Sequence, residues 1–186
     1  MQRSRLNRAI ARLESLLNQA RSSGNYAAYQ GYLQGHMFLK HLSAQLPKFT
    51  QLIEQEIRRS SREAIKKRRS PHFVFHGKES KQGKPFAELK ESTLRHRKRG
   101  ASFILRETSQ MFHTLKIKIN ERGEIVATSG HRIKKGNLID HHSFGAEKGK
   151  WKMESRPFVG MDRKGAYRLK RKLIAFFRSL MRNYGR

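Results

Sequence analysis

The repeat of apolar residues changes twice along this chain, and that change limits the folds open to it. Leu6, Ile10, Leu13 and Leu17 recur at helical spacing and predict one amphipathic helix. Ser22, Ser23 and Gly24 punctuate the chain, after which Tyr29, Tyr32, Leu33, Met37 and Leu42 predict a second helical stretch. Gly31 and Gly35 weaken it, each costing about 1 kcal/mol relative to Ala in a helix interior. Small residues four apart also let another backbone approach, which makes this side a candidate contact face. Pro47 predicts a fresh helix start, since proline is tolerated in a first turn. Phe49, Leu52, Ile53, Glu56, Ile57, Ala64 and Ile65 carry that helix to about Arg69, and Pro71 closes it.

At Leu115 the period shortens to two. Leu115, Ile117 and Ile119 alternate with Lys116 and Lys118, Asn120 to Gly123 supply turn chemistry, and Ile125 to Thr128 resume as a strand. Ile133 to Ile139 stays open between strand and irregular structure, and Trp151 to Met161 reads as extended. After Asp162, a suitable N-cap, helical spacing returns at Leu169, Leu173, Ile174, Phe177, Leu180 and Met181. The expectation is an α+β fold with an N-terminal helical arm, a long helix, a small mainly antiparallel sheet with a hairpin at about 113–129, and a C-terminal helix. Residues 1–46 read as a helical extension and residues 47–186 as one α+β domain with a long basic loop at about 77–100. The 186-residue length suits that single domain.

Charge bears on partners rather than fold. Lys and Arg number 42 against 14 Asp and Glu, a net charge of +28. Such an excess repels copies of itself and attracts polyanions, whether nucleic acid, anionic lipid or an acidic protein surface. The 21 N-terminal residues are Arg- and Ser-rich with few acids, as in a transit peptide, but their apolar stripe favours a structural helix. No apolar run approaches the roughly 18 residues of a membrane span, and with no cysteine the chain has no disulfide, thiolate metal site or cysteine nucleophile.

Catalytic readings begin at a disadvantage. Asp140 and Asp162 are the only aspartates, and the 12 glutamates are scattered, whereas two-metal phosphate chemistry needs clustered carboxylates. Asp140-His141-His142 is the strongest lure. A ββα-metal nuclease would need a further His downstream, yet all nine histidines lie at or before His142. A DHH-type phosphoesterase would need more aspartates. No Gly-x-Ser-x-Gly elbow or phosphate loop is present. The expectation is a protein that is not an enzyme, with no cofactor and no metal.

Candidate polyanion-binding residues are Lys66, Lys67, Arg68 and Arg69 at a helix end, Arg95, Arg97, Lys98 and Arg99 in the basic loop, and Arg168 and Arg171 in the last helix. The run at 66–69 reads slightly better as a solvated helix end, where cations complement the carbonyl end of the dipole, than as a phosphate-binding patch.

From Pro47 onward the order of short motifs resembles the bacteriophage virion-morphogenesis, or tail-completion, family. Gly83-Lys84-Pro85-Phe86-Ala87-Glu88-Leu89 followed by Thr93 is similar to its pattern of Gly, an aromatic, Leu and a Thr. Leu105 and Thr108 stand in a block like its iL-x-x-T-G-x-L, with Ser109 where Gly is usual. His142-Ser143-Phe144-Gly145 matches a His-x-Phe-Gly step, and Arg156-Pro157-Phe158-Val159-Gly160 matches an Arg-Pro-Phe-Leu-Gly block before a terminal helix.

The resemblance implies a structural virion protein that completes the tail or joins it to the head at the neck. It would form a homo-oligomeric ring, six-fold being one order it allows, among other phage neck and tail proteins. It would be assembled in the host cytoplasm, with non-specific contact to phage DNA and no membrane. It also implies packing or subunit contact for His142 and Phe144, a tight turn at Gly145, an extended Arg156 free to pair with a carboxylate, and core anchoring by Phe158, with Phe144 also placed in the core. The alternative reading is a basic nucleic-acid-binding protein of ribosomal or nucleoid type.

Overall fold

The computed structural model describes residues 2–96, 110–129, 132–133, 136–148 and 151–184. Helix α1 (Gln2–Ser22) and helix α2 (Tyr26–Lys66) lead the chain. Between them Gly24 takes φ +68°, and the Asn25 amide donates to the Ala20 carbonyl at 3.0 Å, closing α1. Asn25 then caps α2, its Oδ1 accepting the Ala28 amide at 3.1 Å. The two helices meet where Leu13 lies beside Gly35, and where His36 Nε2 sits 2.9 Å from Glu14 Oε1.

Helix α2 does not restart at Pro47. It runs through the proline, contrary to the expectation of a helix start there. An interior proline forfeits one backbone hydrogen bond and strains the preceding turn, a cost of about 3 kcal/mol. Packing of an amphipathic face, which supplies most helix stability in proteins, outweighs that local penalty. Buried Glu56, Ile57, Ser60, Ser61, Ala64 and Ile65 form that face after the proline.

The chain forms two compact units. The first comprises Met1–Leu52, Ile119–Glu124 and Lys170–Arg186. Leu17, Ala20 and Leu180 are buried in it, and the Phe49 ring lies 5.8 Å from those of both Phe176 and Phe177. The second comprises Ile53–Lys118 and Ile125–Leu169 and holds the main core. Ile57, Ala64 and Ile65 of α2 meet Phe86, Phe112, Leu115, Ile117, Ala127, Ile139, Phe158, Val159 and Met161 there.

The remaining elements are β1 (Phe73–His76), a 3-10 turn at Glu79–Lys81, α3 (Glu91–His96), α4 (Gln110–Thr114), β2 (Lys116–Ile119), β3 (Ile125–Thr128), β4 (Arg132–Ile133), β5 (Gly136–Asn137), α5 (Leu138–Phe144), β6 (Ala146–Lys148), β7 (Trp151–Met153), β8 (Val159–Met161) and α6 (Arg163–Tyr184). The fold is α+β. Among the described residues the strands form four two-stranded ladders, β1–β8, β2–β3, β4–β5 and β6–β7, rather than one continuous sheet. Three join neighbours in the chain. The β1–β8 ladder instead pairs Phe73 with Met161 and Val74 with Gly160, antiparallel, and so ties the end of α2 to the start of α6.

The predicted hairpin is β2–β3, whose turn is closed by the Gly123 amide donating to the Asn120 carbonyl at 2.9 Å. Of the open stretch at 133–139, the described residues belong to the end of β4, to β5 and to the start of α5. Among the described residues no helix is long and apolar enough to cross a membrane.

Candidate functional site

Three motif blocks, distant in sequence, interlock in the second unit around Arg156. The segment after α2 runs alongside residues 83–86: the Ser70 amide donates to the Lys84 carbonyl at 2.9 Å, Gly83 to Pro71 at 3.0 Å, and Phe86 to Arg68 at 2.8 Å. Gly83 takes φ +64°, and its carbonyl accepts a hydrogen bond from Arg69 Nε. These bonds turn Phe86 into the core and let Leu89 pack against it.

Arg156 closes the arrangement from the other side. Its Nε donates to the Ala87 carbonyl at 3.1 Å, its Nη2 to the Glu88 carbonyl at 3.2 Å, and its amide to the His142 carbonyl at 2.6 Å. With 6% of its surface exposed, Arg156 works inside the fold, where its side chain clamps backbone carbonyls. Against the expectation of an Arg156 free to pair with a carboxylate from the fold or a neighbour, these side-chain bonds go to backbone carbonyls. A buried guanidinium needs its donors satisfied, and charge-assisted bonds to backbone are worth about twice a neutral pair.

The third block caps helix α5. The Ser143 carbonyl accepts from Ser155 Oγ at 2.8 Å and from the Lys78 amide at 3.3 Å. Gly145 takes φ +80°, and a Cβ there would press on the Met153 carbonyl, so only glycine fits. Pro157 and Phe158 are fully buried, while Phe144 is 45% exposed. The core position expected for Phe144 does not hold. Ile139 and Ser143, four apart, face inward, so the residue one step beyond Ser143 is rotated toward solvent. Phe144 instead meets the His76 ring edge-on, centroids 5.0 Å apart, and His76 Nε2 lies 2.6 Å from Asp140 Oδ1. Asp140 thus pairs with a strand histidine, and His142 is partly buried. Among the described residues no group of three His, Cys, Asp or Glu suits a metal ion.

The predicted polyanion residues divide. Lys66 Nζ stands 5.7 Å over the Phe112 ring beside Arg62 at 5.6 Å, Lys67 Nζ is 3.7 Å from Asp162 Oδ2, and Arg69 is bound to Gly83. Arg68 forms the left-handed residue that ends α2, at φ +53°. Arg95 pairs with Glu91 one turn back at 2.6 Å. Arg168, a candidate polyanion-binding residue, is drawn inward, its Nε 2.7 Å from Oε1 of Glu56, which is 1% exposed. A carboxylate on the buried face of α2 requires a partner, and Glu56 among apolar neighbours was the sequence signal for it. Arg171 is exposed. Arg97, Lys98, Arg99, Leu105 and Thr108 lie outside the described residues, and Thr93 belongs to α3.

Residues that sequence reasoning missed are the small ones at close approaches. Ser61 Oγ accepts the Gly160 amide at 3.2 Å and donates to its carbonyl at 3.4 Å, fastening α2 to β8. A Cβ at Gly160 would overlap the Phe73 carbonyl, and one at Gly165 would overlap Ser60 Oγ. Their signal was faint: two serines on a helical face that is otherwise apolar except for Glu56. Asp162 precedes α6, its carbonyl accepting the Ala166 amide at 2.9 Å, while its carboxylate faces back to His72 Nδ1 at 3.2 Å. Compared with protein-family models, with curated proteins and with solved structures, the chain matches none of them.

Proposed function

We propose that this chain is a structural virion protein of a tailed bacteriophage, completing the tail or joining it to the head at the neck, and acting as a ring among other neck and tail proteins. The observation that carries the reading is the order of motifs from Gly83 through Leu105, Thr108 and His142 to Gly160. The interlocking of three of these blocks through Arg156 supports it, because a fixed order of short motifs suits parts that hold one another in place. The roles are those of a scaffold. Phe86 and Phe158 fill the core, Gly83 and Gly145 turn the chain, and Arg156 fastens the loop at residues 87–88.

The test is electron microscopy at two levels. Purified full-length protein is expected to form discrete rings, alone or with neck proteins. Particles grown without it are expected to accumulate as unjoined heads and tails. A protein that stays monomeric in both settings, with infectious particles formed in its absence, overturns the reading. A second reading, a non-specific nucleic-acid binder, is favoured by one observation: the net charge of +28.

A further inference from the structure

Helix α6 has a second apolar face. On its packed side Leu180 is buried and Phe176 meets Phe49, while Phe177, at the border of that side, touches Phe49 with one edge of its ring and leaves the rest in solvent. Beside that side, Ile174, Phe177 and Met181 are 41%, 44% and 58% exposed. Their spacing of three and four residues places them in one stripe along the helix. It is also the a–d–a spacing of a heptad, which puts Lys170 at the preceding d position and Arg171 and Arg178 at successive e positions. The helix spans 22 residues and carries eight Lys and Arg with no acid. Among the described residues no ion pair reaches Lys170, Arg171 or Arg178.

An apolar seam with one-signed charge on its flank selects its occupant. A second copy would set arginine against arginine in a chain of +28. Duplex DNA would face Ile, Phe and Met with phosphates, leaving the apolar side chains in water. We propose that this stripe docks an acidic amphipathic helix of another protein, its apolar seam covering Ile174, Phe177 and Met181 and its carboxylates meeting Arg171 and Arg178. The docking goes beyond the virion reading and stands or falls separately from it, since rings could form without this stripe and the stripe could bind a helix without rings.

The probe is a fluorescein-labelled peptide of about four heptads with Leu at a and d and Glu at e and g, whose glutamates keep it from pairing with itself. Fluorescence anisotropy with the full-length protein is expected to show saturable binding. Met181→Glu is expected to weaken it about tenfold or more. The double variant Arg171→Glu/Arg178→Glu is expected to weaken it similarly, and a peptide with Lys in place of Glu is expected to bind that variant. All three changes fall on exposed positions, and circular dichroism checks that the fold persists. Absence of binding overturns the proposal, as does equal binding of a peptide of the same composition with its heptad scrambled. So does a dimer in sedimentation, or uptake by vesicles rich in phosphatidylglycerol or by duplex DNA, that Met181→Glu abolishes, because each names a different occupant.

Discussion

Arg68 holds φ +53° at the end of α2, where its amide donates to Ile65 at 3.2 Å and the Arg69 amide to Ala64 at 3.1 Å. That pair of bonds is the Schellman ending, whose left-handed residue is usually glycine because a Cβ there crowds the backbone. Arg68→Gly is therefore expected to raise the unfolding free energy by about 1 kcal/mol, read by urea titration. A loss would show that the arginine side chain contributes more than its backbone costs. A second single-residue outcome concerns Glu14 on α1. The hydrogen bond with His36, and then Lys40, hold its carboxyl below the ordinary glutamate range. A carboxyl lowered by folding adds stability that is full above its unfolded pKa and is lost as pH falls through the folded one. Carbon-detected NMR is expected to place the Glu14 midpoint below the ordinary value, rising toward it in His36→Ala. A midpoint that His36→Ala leaves unmoved would assign the effect to Lys40.

Elements in the second unit meet through small residues. Ser60 of α2 and Gly165 of α6 touch so closely that a Cβ on the glycine would overlap Ser60 Oγ, a buried hydroxyl that makes no hydrogen bond in the structure. Gly165→Ala is expected to cost about 1–3 kcal/mol through overpacking, despite alanine's better helix propensity. Ser60→Ala removes the obstructing oxygen, so the double variant is expected to recover most of that loss, a coupling that a double-mutant cycle by thermal unfolding reads directly. Additive losses would put the strain at Met161, the next neighbour of such a Cβ. The same elements show how far periodicity reaches. The stripe Leu6, Ile10, Leu13, Leu17 predicts α1, and alternation predicts β2 and β3, because each pattern is local. The length of α2 was not legible: Gly31, Gly35 and Pro47 are local penalties, and the packing that outweighs them lies elsewhere in the chain. Nor was the β1–β8 ladder, since Phe73 and Met161 have no sequence signal that they pair.

At the scale of the molecule, +28 sets the long-range field. Duplex DNA is expected to bind the full-length protein at low salt and to weaken about a thousandfold between roughly 50 and 200 mM salt. Tight binding that persists at physiological salt would favour the nucleic-acid reading over the virion one. The charge count treats all cations alike, and the fold does not. Arg156 and Arg168 are spent on internal partners, Lys67 faces Asp162, and Arg171 and Arg178 remain on the surface of α6. Composition and repeat, which depend only on neighbours along the chain, determined by themselves the α+β class, the hairpin, the closing helix and the strongly positive net charge. Tertiary structure alone decided which cations turn inward, why Phe158 is buried while Phe144 is not, and that the blocks at 83–89, 142–145 and 156–160 form one knot. The reason is that a buried charge or ring is placed by what lies across from it, and for these residues the partner is a backbone carbonyl or a helix face brought near only when the chain folds.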